Sequence, residues 1–182
     1  MECAIKLKNV TKTFGNVVAN KDVSLEIRKG EILALLGENG SGKTTLLNMI
    51  AGIYYPDSGE VLVNGKPVEI RSPKDAYRLG IGMIHQHFKL IDVFTATENI
   101  ALGLEKNEKF DLKEVRKKAQ AICEKYHFDM DFDQKVYSMS VSQKQTLEII
   151  KVLYRGADIL ILDEPTAVLT PQETQKLFEV MR

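Results

Sequence analysis

Between residues 32 and 50 the chain runs from an unbroken apolar stretch, Ile32-Leu33-Ala34-Leu35-Leu36, through a glycine-rich loop into a helical pattern. A stretch apolar on both faces needs cover on both faces, which predicts an interior strand of a parallel or mixed sheet. The loop reads Gly37-Glu38-Asn39-Gly40-Ser41-Gly42-Lys43-Thr44 and fits the pattern G-x-x-x-x-G-K-[ST]. Glycines there let the backbone curl so that successive N–H groups face phosphate oxygens, and the following helix adds its dipole. Lys43 is expected to reach the β- and γ-phosphates and the Thr44 hydroxyl to ligate Mg²⁺. Thr45, where the helix is predicted to start, is counted with the loop as nucleotide-binding. The alternative, a glycine turn with a solvated lysine, does not account for a strand before the loop and a helix after it.

A second apolar run, Ile159-Leu160-Ile161-Leu162, ends in Asp163-Glu164-Pro165. It predicts another interior strand with two carboxylates at its C-terminal end, the edge where open α/β sheets bind ligands. Asp163 is expected on the Mg²⁺ side, through water, and Glu164 as the general base that polarises the attacking water. Alone, this pattern reads equally well as a solvated acidic turn; the phosphate loop upstream decides against that.

The remaining pattern is α/β, then helical, then α/β. Alternation at Cys3, Ile5 and Leu7 and again at Val23, Leu25 and Ile27 predicts half-buried strands. Glu60 to Val63 predicts another, turned by Asn64-Gly65, and Ile81 to Ile84 a further short one. Ser72-Pro73 opens a helix, as does Thr170-Pro171 near the end. From about Phe88 to Tyr154 the period is helical. Thr95 with Glu98 forms a capping box, Asp111 with Glu114 a looser one, and Leu112, Val115, Ala119, Ile122 and Tyr126 share one stripe.

Composition sets the outer limits. The 182 residues, 44% hydrophobic and 27% charged, suit one soluble domain with an insert. Lys plus Arg and Asp plus Glu are each 25, so overall charge gives no argument for nucleic acid or an anionic membrane. The apolar runs are about five residues against the ~20 needed to span a bilayer. Cys3 and Cys123 read as reduced thiols.

The two motifs, in this order with a helical segment between, resemble the ATPase domain of ABC transporters over about residues 5–182. The resemblance implies a P-loop NTPase core with a mixed or parallel sheet, formed by 5–87 and 155–182 and interrupted by a helical subdomain at 88–154. Phe14 stands where that family stacks a ring on adenine. Gln86 matches the glutamine that reaches Mg²⁺ and the attacking water, in a loop that contacts the membrane subunit. Met139-Ser140-Val141-Ser142-Gln143 stands at the signature, usually Leu-Ser-Gly-Gly-Gln, so Ser140, Ser142 and Gln143 are expected to face ATP bound on a second such domain. Val141 and Ser142 replace both signature glycines, and Thr170 stands where an aspartate is usual.

The segments Gly82 to Phe88, Thr95 to Asn99, Tyr154 to Asp158 and Glu164 to Thr170 look like those of sugar and nucleoside importer ATPases, the nucleoside branch more closely. The resemblance implies ATP and Mg²⁺ as cofactors. It implies a membrane permease and a second ATPase domain as partners, a solute-binding protein indirectly, and no nucleic acid. It places the chain at the cytoplasmic face of the membrane. The chain reads as the N-terminal part of a longer, often tandem, protein, and the part alone is expected to bind Mg·ATP with little turnover.

The rivals are a soluble ABC ATPase acting on DNA or ribosomes, a GTPase or small-molecule kinase, and a subunit that binds ATP without turning it over. Asn20-Lys21-Asp22 lacks the spacing of a guanine reader and precedes the phosphate loop. His85 and His87 read as loop histidines, the Lys113, Arg116, Lys117, Lys118 cluster as a solvated face, and Tyr54-Tyr55 as packing.

Overall fold

The computed structural model describes residues 2–85, 88–102, 104, 111–163 and 178. They fall into two compact units, 1–81 and 82–182.

The first unit is built on a four-stranded antiparallel sheet in the order β2-β1-β3-β4, with β1 Cys3–Phe14, β2 Val17–Arg28, β3 Ser58–Val63 and β4 Lys66–Val68. Ile5, Leu7, Val10, Val61 and Val63 are among its buried positions. Helix α1, Lys43–Ile50, buries Leu46, Met49 and Ile50, the i, i+3, i+4 spacing of one helical face. A short helix α2, Pro73–Arg78, starts as expected: the Ser72 hydroxyl accepts the Asp75 N–H and proline fills the first helical position.

The second unit holds β5 Ile81–Ile84 and β6 Ile159–Leu162, hydrogen-bonded neighbours, together with helices α3 Ala96–Ala101, α4 Leu112–Tyr126 and α5 Val141–Tyr154. Val115, Ala119 and Cys123 of α4 meet Ala96 and Ile100 of α3 and Leu147 and Ile150 of α5 in one apolar core. The other side of α5 packs Ile149 and Val152 against Ile84 and Ala157. Strand β5 comes so close to α5 that a Cβ on Gly82 would collide with Val152 and lie 3.0 Å from the Ala157 methyl, so only glycine fits there. The capping box at Thr95 and Glu98 is present in full, and Asp111 caps α4 by accepting the Lys113 N–H.

One predicted element is absent. Ile32–Leu36 forms no strand, and Leu36 is 93% exposed. A strand is made by hydrogen bonds to its neighbours, and no strand among the described residues bonds to this run. The helix expected after Thr170 lies outside the described residues.

Candidate phosphate-binding site

The loop at 37–42 closes around its own lysine. Lys43 Nζ donates to the carbonyls of Gly37 at 2.7 Å and Glu38 at 2.8 Å and, more loosely, to Ser41 Oγ at 3.4 Å. An ammonium has three donors, and here all three hold the loop. None of these partners is anionic, and among the described residues no carboxylate forms an ion pair with Lys43, so its charge remains to be met. The Ser41 N–H donates to the Glu38 carbonyl at 3.2 Å, which makes the tip a turn.

Gly42 ends the loop and starts α1. Its φ is +88°, and a Cβ on it would run into the Ala19 carbonyl and lie 2.8 Å from Asn20 Nδ2. Only glycine satisfies both the left-handed backbone and this approach. Asn20 Nδ2 donates to the Gly42 carbonyl at 3.3 Å, which ties the loop to β2. No side chain caps α1. A helix start with an uncompensated cation beside it and no cap of its own favours an anion. Gly37, Glu38, Asn39, Gly40, Ser41, Gly42, Lys43, Thr44 and Thr45 run as one segment from this loop into the first turn of α1.

Phe14, 43% exposed, stands at the end of β1 with its ring edge-on to Tyr54, centroids 5.1 Å apart. The strand end that carries it is fastened by Asp57, a residue outside every motif of the sequence. Asp57 accepts the Thr13 N–H and the Thr13 hydroxyl, both at 2.7 Å, and the Lys12 ammonium at 2.8 Å. These bonds hold its carboxyl at a pKa of about 2, the Lys12 and Thr13 side chains contributing most. Lys12 Nζ also lies 5.5 Å from the Phe14 ring centre. In the sequence, Pro56-Asp57-Ser58-Gly59 signals only a turn, so nothing there marks Asp57 as an anchor.

In the second unit Asp163 follows β6, its N–H donating to the Ile84 carbonyl at 3.3 Å. The predicted strand and the position of Asp163 at its C-terminal end are both present. Gln86 and Glu164 lie outside the described residues. The His85 imidazole is held below its ordinary pKa, first by burial and then by the Lys89 charge, with Glu148 and Asp163 opposing.

Ser140, Ser142 and Gln143 sit together at the start of α5. Ser140 Oγ accepts the Gln143 N–H at 3.2 Å and Gln143 Oε1 accepts the Ser140 N–H at 2.8 Å, a complete capping box. Gln143 Nε2 reaches Gln134 Oε1 at 3.1 Å. Val141 is exposed beside them.

Comparison with known proteins agrees with these features. The family model described as ABC transporter matches residues 20–167. The chain is 54% identical over 183 residues to the nucleoside import ATP-binding protein NupA of Lactococcus lactis subsp. cremoris, covering 100% of this chain and 36% of that protein. It is 49% identical over 184 residues to the guanosine import ATP-binding protein NupO of Bacillus subtilis, again covering 100% of this chain and 36% of that protein. The chain therefore spans about a third of the length of these relatives. Among solved structures, the dimeric post-hydrolysis state of the ATP-binding cassette MJ0796, bound to ADP and Pi, matches with a TM-score of 0.79 at 30% identity, covering 97% of this chain and 81% of that one.

Proposed function

The chain belongs to the ABC transporter family, and from that premise we propose that it is an ATP-binding and ATP-hydrolysing unit that powers a membrane importer. The observation that carries the reading is Lys43, its amino group set in a ring of loop oxygens at an uncapped helix start, with no carboxylate among the described residues paired to it. In this reading the loop N–H groups and Lys43 hold the phosphates, and Phe14 stacks on adenine. The Thr44 hydroxyl and the Asp163 carboxylate are hard oxygen donors of the kind Mg²⁺ takes. Bound there, the ion would offset phosphate charge. Glu164 takes the proton from the attacking water, and Gln86 orients that water.

Residues 5–87 and 155–182 make up the nucleotide core, and 88–154 is the helical subdomain with the signature. Ser140, Ser142 and Gln143 face ATP on a second domain, which the dimeric arrangement of MJ0796 supports. The similarity to NupA and NupO favours a nucleoside over a simple sugar as the imported solute. A separate permease forms the channel, supplied by a solute-binding protein, and this chain sits at its cytoplasmic face. No helix among the described residues is long and apolar enough to cross a membrane.

The test is Glu164→Gln in the full-length protein with its permease. ATP affinity is expected unchanged or tighter, because repulsion of the γ-phosphate is relieved. Turnover at this loop is expected to fall about 10²-fold or more, the usual contribution of a general base. Turnover that survives the change removes Glu164 from the role. Residues 1–182 alone are expected to bind Mg·ATP with little hydrolysis, since Val141 and Ser142 stand where backbone would approach phosphate.

A further inference from the structure

Strand β2 buries one residue, and it is a polar one. Val17, Val18, Lys21 and Asp22 are exposed and Val23, Leu25 and Ile27 half-buried, while Asn20 is 8% exposed. The alternation set by Val23, Leu25 and Ile27 would turn Lys21 inward and Asn20 outward. A bulge reverses it. Val10 pairs with Val23 but Lys12 pairs with Asn20, so three steps along β2 match two along β1. The extra residue is taken up around Asp22, whose φ is +49° and whose N–H donates to Thr11 Oγ1 at 3.0 Å. Bulges of this kind re-aim a side chain beside functional sites.

What Asn20 meets is the phosphate loop. Its Nδ2 donates to the Gly42 carbonyl at 3.3 Å, and the same carbonyl accepts the Leu46 N–H at 2.9 Å, the bond that opens α1. A carbonyl can only accept, so the amide nitrogen must face it. That orientation leaves Asn20 Oδ1 buried with no donor among the described residues. Burying an amide oxygen without a donor costs folding free energy. One bond at 3.3 Å, to a carbonyl that already has a donor, offsets little of it. An apolar side chain of similar size would serve the fold better, so Asn20 serves something besides the fold.

Peptide geometry says what that is. The Gly42 carbonyl and the Lys43 N–H belong to one planar trans unit and point in opposite directions. The carbonyl points along α1 toward Leu46, so the N–H points out of the helix start, where the first N–H groups have no partner within the helix. A bond that holds the carbonyl therefore fixes the aim of the N–H. We propose that Asn20 is a positioning residue of the phosphate loop. Turned inward by the β2 bulge and kept at a cost in stability, it locks the Gly42–Lys43 peptide so that the Lys43 N–H meets phosphate without rearrangement. It touches no nucleotide itself. The proposal rests on the reading of this loop as the ATP site given above.

The test uses the full-length protein and amide hydrogen exchange read segment by segment, so that this loop is followed apart from any other nucleotide site. Exchange at residues 5–10 of β1 reports the stability of the first unit. The ATP concentration that half-protects residues 42–46 reports affinity at the loop. In Asn20→Leu, exchange at 5–10 is expected to be as slow as in the parent or slower, while the half-protecting ATP concentration rises at least tenfold. A residue that only supported the fold would move the two readouts together. Asn20→Ala removes the same bond without adding bulk and is expected to give the same tenfold rise; it decides the matter if Asn20→Leu does not fold. A half-protecting concentration within twofold of the parent would overturn the proposal. So would a loss of affinity in Asn20→Leu accompanied by exchange at 5–10 at least tenfold faster. Lys43→Ala tests the reading beneath it. If that variant leaves the half-protecting concentration unchanged, the loop is not the phosphate site and that reading fails. If it raises the concentration and Asn20→Leu does not, the loop stands and the role of Asn20 falls.

Discussion

Two helix starts in this molecule were expected to face phosphate, and they are built in opposite ways. At α1 no side chain caps the helix, Gly42 brings the backbone in at φ +88°, and Lys43 stands beside the opening without a carboxylate partner among the described residues. At α5 the Ser140 hydroxyl and the Gln143 amide satisfy each other's backbone N–H groups, and no cation takes part. The first start is left with charge to neutralise. The second has already met two of its N–H groups, those of Ser140 and Gln143, and so has less to offer a phosphate. The difference teaches that the same local feature, a helix N-terminus, is a strong or weak anion site according to what its own side chains have already used. It also separates the expected roles: α1 holds the chain's own nucleotide, and α5 offers a weaker contact useful only when a second domain presses ATP onto it.

The sharpest way to break this contrast is at Gly42. Alanine there would hold a left-handed backbone, about 1–2 kcal/mol, and would push a methyl group into the Ala19 carbonyl, about 1–3 kcal/mol more. Gly42→Ala is therefore expected to destabilise the first unit by about 3 kcal/mol and to abolish measurable ATP binding, read by urea denaturation and calorimetry. A stable variant with parental affinity would show that the loop does not need this geometry.

Next is the cation. Lys43→Ala is expected to weaken ATP binding at least tenfold, about 1.4 kcal/mol. Ser140→Ala in the same assay is expected to cost clearly less affinity than Lys43→Ala, because its hydroxyl caps the helix and offers only a weaker contact to ATP on a second domain. Its cost appears chiefly in stability, about 1 kcal/mol. Equal losses of ATP affinity in the two variants would dissolve the contrast.

How much of this was legible in the sequence follows from which interactions are local. Caps and glycine turns are short-range, so the Thr95–Glu98 box, the helix start at Ser72-Pro73 and the phosphate loop could be placed from neighbouring residues alone; the Ser140–Gln143 box is equally local, but in the sequence those residues read as facing nucleotide instead. Strands are not local. Ile32–Leu36 and Ile159–Leu162 have the same apolar pattern, yet only the second becomes a strand, as β6 beside β5. Apolar content states a preference for burial and does not supply the neighbour that makes the hydrogen bonds. Asp57 and Asn20 escaped for a related reason. Their partners, Thr13 and Gly42, are 44 and 22 residues away, and no spacing rule connects them.

The smallest effect concerns pH, and it divides the two units again. The α5 cap uses a hydroxyl and an amide, neither of which titrates in acid. In the first unit the link that fastens the Phe14 end of β1 is a carboxylate, Asp57, whose pKa is lowered from 3.8 to about 2 by the Lys12 and Thr13 side chains. A carboxyl lowered on folding stabilises the fold fully above its unfolded value, and that contribution drains away as pH falls through the folded value. The loss is thus expected between about pH 4 and pH 2. By NMR, the Thr13 amide should shift with an apparent pKa of about 2, while the Ser140 amide should stay flat across the same range. Asp57→Asn should abolish the Thr13 titration and leave ATP affinity changed by no more than a few-fold, because the Phe14 ring keeps its edge contact with Tyr54. A Ser140 amide that titrates with Thr13 would mean that the two units respond to acid together, and the carboxylate link would then not account for the acid response.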